Sequence, residues 1–273
     1  MAGLLWSLGG FFAKAPLLDG WPGPVLAFWR ALGASCCLVF LIRKPSWSRQ
    51  MVWMGLSFLA MNWCYLSAMV RMEASSAIWL QMTAPFWVYV LSPFLLHEHP
   101  SPRDRLSFWI GMVGVGFILV FELRGQQTAG VLYGLGSGLS YALTVMLLRK
   151  LRAHSATWLA AFNHFVVVVG LLPVVVSLPQ YAPSGPQLVW VFLFGVLQMG
   201  LAYVLFAKGV QSVPGREAAL IALIEPVLLP VWVYLAWHNH PSYQAPGWWT
   251  IVGGVLILVA LVRTTRSAQT NGG

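Results

Sequence analysis

The sequence predicts an all-α polytopic membrane protein with ten transmembrane helices in two inverted five-helix repeats and with both termini in the cytoplasm. Three observations lead to this prediction. The 273 residues are 59% hydrophobic and only 8% charged, whereas a typical soluble domain is roughly one-quarter charged. Apolar runs of about 18 residues or more, each long enough to cross a bilayer as a helix, recur along the chain. One segment of the chain occurs twice, which indicates an internal duplication.

The duplicated segment is Ala77–Ser101, and its copy is Ala218–Ser242. The copies end in HEHPS and HNHPS and align at a constant offset of 141 residues, which places Pro85 on Pro226. Five helices per half is an odd number, so the two halves must enter the membrane in opposite directions. The expected divisions are a first repeat over 1–124, a second, inverted repeat over 125–266 and a disordered polar tail over 267–273.

Short turns rich in proline and glycine separate the predicted helices. In chain order, we expect helices at 3–18, 24–42, 51–70, 75–96, 106–122, 129–150, 156–178, 187–209, 217–237 and 246–263. The breakers are Asp19–Pro24 after the first helix, Pro45 after the second, Pro100 after the fourth, Gly125 after the fifth, Pro179 after the seventh, Pro214 after the eighth and Pro241 after the ninth. The first helix is short for a membrane span, so a longer natural N-terminus is expected.

Basic residues orient the chain. With the N-terminus in the cytoplasm, twelve of the sixteen Lys and Arg residues lie at the inner face, and two lie at the outer face. The remaining two, Lys14 and Arg30, fall within spans. Cytoplasmic loops are enriched in Lys and Arg, so this distribution favours cytoplasmic termini. It also identifies the phospholipid membrane, rather than nucleic acid, as the partner of the basic residues.

An inverted repeat is the architecture from which alternating access follows, because two similar halves that exchange conformations convert an inward opening into an outward one. The repeat therefore favours a transporter of a small molecule over a protein that uses its duplication for structure alone.

The residues of the two copies resemble the EamA family of the drug/metabolite transporter superfamily. The repeat of that family typically has a tryptophan and a basic residue in the first helix, an arginine in the second, a central proline in the fourth, and an acidic residue followed by a glycine-rich fifth helix. In this chain the first copy has Trp6, Lys14, Arg30, Pro85, Glu98 and Gly111–Gly116, and the second has Tyr141, Arg149, Pro226 and Gly253–Gly254. The second copy departs from the pattern, with Asn163–His164 near the position of Arg30 and Asn239 at that of Glu98.

Within that family, the aromatic first helix and the Trp79–Pro85 segment are most similar to the YddG-type exporters of aromatic and other hydrophobic amino acids. The resemblance implies multi-pass insertion in the bacterial inner (plasma) membrane. It also implies export of amino acids or similar small metabolites from the cytoplasm, and no enzymatic activity.

Ionisable residues inside spans are costly and are candidates for function. Glu225 stands about 12 Å into its helix at 1.5 Å per residue, and Pro226 after it has no backbone hydrogen to donate. Arg30 could bind a substrate carboxylate with two parallel hydrogen bonds, or form a structural pair. For Lys14, snorkelling beside Asp19 is the preferred interpretation. His164 could titrate near neutral pH, which makes protons a candidate coupling ion, although packing is an alternative.

Polar and aromatic residues at helical spacing complete the predicted site, with Gln198 ranked below Tyr203. The predicted substrate-binding residues are Trp6, Arg30, Asn62, Tyr65, Trp79, Tyr141, His164, Tyr203 and Glu225, with helix kinks at Pro85 and Pro226. Tryptophan and tyrosine provide broad rings with one polar atom each, which can stack on an apolar substrate and hydrogen-bond to it.

Three other functions compete with amino acid export. A multidrug or other metabolite exporter would use the same aromatic residues, with Glu225 as the countercharge to a lipophilic cation. An intramembrane serine protease would pair Ser137 with His164, and a passive channel would need a repeated ring of pore residues. The H-x-H pairs at 97/99 and 238/240 fall on opposite faces of the membrane, so they predict no metal site. No cofactor is predicted.

Overall fold

The computed structural model describes residues 1–42, 45–95, 97, 102–125, 127–209 and 223–270, and these residues form helices and connecting turns without any strand. The α-helices are α1 (Ala2–Ser7), α2 (Gly9–Ala13), α3 (Gly23–Leu38), α4 (Arg49–Arg71), α5 (Ala74–Gln81), α6 (Ala84–Leu95), α7 (Pro102–Arg124), α8 (Thr128–Lys150), α9 (Ala156–Val176), α10 (Gly185–Leu193), α11 (Ala202–Gly209), α12 (Ile224–Trp237) and α13 (Trp248–Thr270). A π-helical segment, Phe194–Leu201, joins α10 to α11.

Seven helical stretches within the described part of the chain are long and apolar enough to cross a membrane, and three shorter apolar helices accompany them. The shorter ones are Ala2–Ala13, Ile224–Trp237 and the final helix from Trp248. Many large apolar side chains point away from the protein interior, for example Phe40, Phe94 and Val176. Such a surface is suited to lipid chains rather than water. The chain is therefore a multi-pass helical membrane protein.

The repeated helix of the first half is interrupted. Helix α5 ends at Gln81 and α6 begins at Ala84, with Met82 and Thr83 between them. Pro85 follows immediately, and its ring removes a backbone donor that a continuous helix would need. Thr83 Oγ1 donates instead to the carbonyl of Leu80 at 2.6 Å. Two half-helices thus replace the single helix that we expected over 75–96.

The second copy of the repeated helix is described from Leu223 onward. Helix α12 begins at Ile224, which the 141-residue offset aligns with Thr83, so α12 corresponds to α6. Pro226 lies in the first turn of α12, where its missing donor costs no hydrogen bond. The expected start of this helix at 217, the Pro214–Gly215 turn and any kink upstream of Pro226 lie outside the described residues.

The chain ends differ from the sequence expectation. The first span is broken at Leu8 and ends at Ala13, followed by a 3₁₀ turn at Pro16–Leu18, instead of running through 3–18. Pro16 explains the early end, since proline disfavours helical geometry in the residue before it. Helix α13 continues to Thr270, so the tail predicted to be disordered over 267–273 is helical through residue 270. Adding residues to an existing helix costs far less than starting one.

Glycines allow the closest approaches between helices. A side chain on Gly114 of α7 would come within 2.6 Å of the carbonyl of Gly253 in α13, and one on Gly253 would come within 2.5 Å of the carbonyl of Gly114. A Cβ on Gly195 in the π segment would lie 2.2 Å from the carbonyl of Arg30 on α3. Small residues at interfaces are how membrane helices gain packing contacts without a hydrophobic driving force. The contact of Gly195 with the carbonyl of Arg30 holds Arg30 against the π segment.

Candidate functional site

The centre of the molecule holds a buried guanidinium, that of Arg30 on α3, which is 1% exposed. Its Nη1 donates to Oε1 of Gln198 at 3.3 Å, and its Nη2 donates to Oδ1 of Asn62 on α4. The guanidinium carbon lies 5.1 Å from the ring centre of Phe194 and 5.7 Å from that of Tyr65. A buried charge is tolerated only when hydrogen bonds and aromatic faces replace water. Among the described residues neutral groups supply both, and no carboxylate there pairs directly with Arg30.

Gln198 is the residue whose importance the sequence analysis underestimated. It lies in the π segment, is 2% exposed, and donates from Nε2 to the carbonyl of Trp6 at 3.1 Å while accepting from Arg30. The segment packs against α3 and α1, and a Cβ on Gly9 would lie 3.3 Å from Gln198 Nε2. Single-turn π segments in helices are frequent at functional sites. The sequence feature that indicates a role for Gln198 is its amide side chain in an otherwise apolar span.

Asn62 completes the support of the guanidinium from the other side. Its Nδ2 donates to the carbonyl of Phe58 at 2.7 Å, one turn earlier on α4, which fixes Oδ1 toward Arg30. The side chain is 1% exposed. Asn62 and Gln198 therefore hold the guanidinium between α4 and the π segment, as positioning residues on two sides.

Several polar atoms around Arg30 are buried and have no hydrogen-bond partner among the described residues. They are Arg30 Nε, Tyr65 Oη and His164 Nε2. Native proteins pair almost all buried polar atoms, so each exception needs an explanation. A cluster of exceptions in one place is the arrangement expected where a polar ligand or water would bind.

His164 is oriented by its backbone and by aromatic rings. Its Nδ1 lies 2.8 Å from the carbonyl of Ala160, and its ring packs edge-on against Phe58 at 5.0 Å and Tyr203 at 5.6 Å. Ser137, the expected nucleophile of a serine protease, donates to the carbonyl of Gly134 at 2.8 Å. Each partner of the predicted protease pair is thus engaged with its own helix, and no contact joins these two described side chains.

The carboxylate of Glu225 faces the same region from the first turn of α12. Its charge interacts with Arg30 and with the tyrosines at 65, 141 and 203. The side chain is partly accessible, and within the described part of the chain it forms neither a hydrogen bond nor an ion pair with Arg30. Two opposite charges therefore share one tyrosine-lined region without direct contact.

On the side of α1, aromatic residues line this region. Trp6 packs against Tyr203 at 5.7 Å and Phe206 at 5.1 Å between ring centres. Tyr203 in turn contacts His164. Of the nine predicted substrate-binding residues, eight lie in or beside this cluster. They are Trp6, Arg30, Asn62, Tyr65, Tyr141, His164, Tyr203 and Glu225.

Trp79 is the exception and has to be reassigned. Its indole fills the space beside Gly254 on α13, where an added Cβ would lie 2.4 Å from Trp79 Nε1. No ring contact or hydrogen bond joins Trp79 to Arg30 or to Glu225, all three being described. The missing side chain of Gly254 creates the groove that holds the indole, so Trp79 contributes packing between α5 and α13.

A second polar cluster, which sequence reasoning missed, joins the start of α5, the end of α7 and the start of α13. Ser76 Oγ donates to Oε1 of Glu122 at 2.7 Å and lies 2.8 Å from Oγ1 of Thr250. Trp249 Nε1 donates to the same carboxylate oxygen at 3.2 Å. Buried networks of this kind fix helix register when their members are satisfied. The signal in the sequence was a glutamate at the end of an apolar span.

Two charged residues lie in turns near the start of α5, with Glu73 buried and Lys14 partly buried. Glu73 caps α5 by accepting from the backbone nitrogens of Ser75 and Ser76 at 2.6 and 2.8 Å. Burial raises the pKa of the Glu73 carboxyl, and these hydrogen bonds oppose that shift. Lys14, just after α2, donates to the carbonyl of Met72 at 2.8 Å. Burial lowers the pKa of its ammonium to about 8, against the attraction of Glu73 and Asp19.

Two histidines of the repeated H-x-H pairs, His238 and His240, have other partners. His238 Nδ1 lies 2.8 Å from the carbonyl of Tyr234, and His240 Nδ1 lies 2.7 Å from Ser242 Oγ and 3.8 Å from Asp19. Residues 98–101, which include His99, are outside the described residues. The described ranges contain no group of three or more His, Cys, Asp and Glu side chains that could hold a metal ion.

Comparisons with known proteins agree with this architecture. The model of the EamA-like transporter family matches residues 1–120 and again 128–266. An uncharacterized transporter of Archaeoglobus fulgidus is 28% identical over 203 residues, which covers 74% of this chain and 71% of that protein. A pseudopaline exporter of Pseudomonas aeruginosa is 25% identical over 262 residues, which covers 91% of this chain and 88% of the exporter.

A solved crystal structure has the same fold. It superimposes with a TM-score of 0.68 and covers 98% of this chain and 95% of its own, at 17% sequence identity. At that identity the similarity bears on the arrangement of helices and not on the ligand.

Proposed function

Because the chain belongs to the EamA-like transporter family, we propose that it is a secondary transporter. In this proposal it exports amino acids, aromatic or otherwise hydrophobic, or similar small metabolites, across the bacterial inner membrane by alternating access. The observation that carries the proposal is the pair of opposite charges, Arg30 and Glu225, which face one tyrosine-lined region and make no direct contact within the described part of the chain. An amino acid has both a carboxylate and an ammonium, and so would satisfy both charges at once.

The carboxylate of the substrate would bind to Arg30. A guanidinium has five N–H donors, and Gln198 and Asn62 occupy one on each terminal nitrogen. The free Nε and the remaining Nη hydrogens would form the two parallel bonds that favour carboxylates. Tyr65 Oη, buried without a partner among the described groups, would add a third donor.

The ammonium of the substrate would bind to Glu225, and its apolar side chain would pack on the aromatic wall of Trp6, Tyr141 and Tyr203. Rings at this position would prefer large apolar side chains to small ones, because contact area and stacking grow with size. Discrimination among related amino acids by size alone is modest, about 10- to 200-fold per methylene. A group of hydrophobic amino acids is therefore the expected substrate range.

The transport cycle would use the inverted symmetry. We propose ten spans, with repeats over 1–124 and 125–266 and both termini inside, because the family model matches twice with a boundary between 120 and 128. Discontinuous helices near the midplane are characteristic of such transporters, and the α5–α6 break supports this interpretation. The pseudopaline exporter, an export protein by its name, supports the outward direction. His164, with its unpartnered Nε2, is the candidate for coupling to protons.

A multidrug exporter is the alternative that a specific observation favours. Glu225 and the surrounding rings would also suit a lipophilic cation, which needs a countercharge but no guanidinium. The two proposals differ in the role of the Arg30 charge. Amino acid export requires its positive charge, whereas a cation would be repelled by it.

The test is counterflow in proteoliposomes with a screen of labelled amino acids and of one lipophilic cation, tetraphenylphosphonium, with and without a pH gradient. Saturable exchange of phenylalanine, leucine or tryptophan that Arg30→Met abolishes supports amino acid export. Exchange of tetraphenylphosphonium that Arg30→Met preserves would instead support the multidrug alternative. Unsaturated flux would indicate a channel.

A further inference from the structure

One face of α12 runs from the central site to the outer surface. Glu225, Leu229, Val233 and Trp237 follow one another at four-residue spacing, which stacks them along one side of a helix. Each step rises about 6 Å at 1.5 Å per residue. Glu225 is partly accessible, whereas Leu229 is 0% and Val233 4% exposed. The face therefore passes from a partly accessible glutamate to a buried apolar pair.

The apolar pair of Leu229 and Val233 packs against a glycine, Gly10, and we call this contact the seal. A Cβ built on Gly10 of α2 would lie 2.7 Å from Cγ2 of Val233 and 2.8 Å from Cδ2 of Leu229. Both distances are shorter than real contacts of a Cβ atom, so a side chain at position 10 would require the Val233 and Leu229 side chains to shift. On the neighbouring face of α2, Gly9 lies against Tyr65 and Gln198 of the central cluster.

Above the seal is a pocket that opens outward. It is lined by Lys14, Ala74, Val233, Trp237, Ser242 and Tyr243, among others. Trp237, one turn beyond Val233, lines one wall of the pocket and is held against α2, since its Nε1 donates to the carbonyl of Phe11 at 2.9 Å and the two ring centres lie 5.6 Å apart. Val233 thus belongs to the outer pocket and to the seal, and the seal separates that pocket from Glu225.

We propose that the contact of Gly10 with Leu229 and Val233 is the outer gate of the transport path. The proposal rests on the transporter function above and adds to it the place where the external route closes. Closure brings two helix surfaces together without hydrogen bonds in the seal itself, and opening would need only a separation of α2 from α12. A side chain at position 10 would keep the gate from closing.

The gate can be tested without measuring transport. In a variant whose three cysteines at positions 36, 37 and 64 are replaced by serine, Tyr65→Cys places a reporter thiol in the central cluster. A membrane-impermeant maleimide is added to the external face of the full-length protein in right-side-out vesicles. Gly10→Ala should raise the labelling rate of this thiol about tenfold, the shift in equilibrium that one overpacked methyl group produces.

Matched variants distinguish an effect on the gate from a general loss of stability. Val233→Ala in the Gly10→Ala background removes Cγ2, the nearer of the two side-chain atoms that the new methyl meets, and should lower labelling toward that of the parent. Gly116→Ala on α7 meets no atom within 4 Å and should leave labelling unchanged. If Gly10→Ala does not fold, Leu229→Ala opens the same seal by removing atoms, and it too should raise labelling.

Unchanged labelling in Gly10→Ala and in Leu229→Ala, with melting temperatures near that of the parent, would overturn the gate. Failure of Val233→Ala to reverse the effect of Gly10→Ala would do the same. The proposed function fails by a different result, namely the absence of saturable exchange in proteoliposomes of the unmodified protein. The labelling experiment can still be interpreted in that case, so failure of the gate and failure of the proposed function are distinguishable.

Discussion

Gln198 provides the sharpest test of how the central cluster is built. Gln198→Leu keeps the volume and apolar character of the π segment but removes the acceptor of Arg30 Nη1 and the donor to the Trp6 carbonyl. A hydrogen bond to a charged group is worth about 1.5–3 kcal/mol. Because the hydrogen bond to Arg30 is long at 3.3 Å, we expect a loss at the lower end of this energy range, which corresponds to an increase of about tenfold in Kd.

The assay is isothermal titration calorimetry with L-phenylalanine on the detergent-solubilised protein. Gln187 provides a matched control, because it also donates from Nε2 to a backbone carbonyl of the first helix region, that of Leu17 at 3.0 Å. Its oxygen accepts from the Ser184 nitrogen at 2.9 Å at the start of α10. Gln187→Leu should therefore lower the free energy of unfolding by about 1 kcal/mol without a change in Kd. Equal Kd values for Gln198→Leu and the parent, or equal losses in both variants, would refute the assignment.

Three further predictions follow from single contacts. Glu225→Gln removes the proposed countercharge and should reduce phenylalanine counterflow at least about tenfold; unchanged exchange at every pH would contradict this role. Tyr65→Phe removes an oxygen that has no partner among the described groups. The Kd should rise about tenfold while the melting temperature is retained, and a fall in melting temperature with unchanged Kd would indicate a structural hydroxyl. Gly23→Ala places a Cβ 2.4 Å from the Ser67 backbone and should cost about 1–3 kcal/mol of unfolding free energy; a loss equal to that of Gly116→Ala in thermal denaturation would contradict it.

Much of the architecture follows from local sequence rules. Apolar runs of membrane length and the breakers between them locate the helices, because a bilayer requires every backbone group to be bonded within its own span. The membership in a transporter family that the repeated residues predicted is confirmed by the family match. Pro85 marks the interruption of the repeated helix to within three residues.

The remaining features depend on contacts between distant segments. The π segment that places Gln198 beside Arg30 is packed against α3 through Gly195, and nothing in the local sequence distinguishes it from an ordinary α-helix. Trp79 was predicted to line the site because it lies at helical spacing with polar residues of its span, but Gly254, far along the chain, provides the groove that it fills. Helical periodicity identifies a face and does not identify which neighbour covers it.

Counterflow of labelled L-phenylalanine into proteoliposomes preloaded with unlabelled L-phenylalanine tests the central claim most directly. Saturable, transient accumulation by the unmodified protein, lost in Arg30→Met and in Glu225→Gln but retained in Gly116→Ala, is the result that two opposite charges at one site predict. Accumulation that persists in both charge variants would contradict the site, and flux that increases linearly with concentration would contradict a carrier.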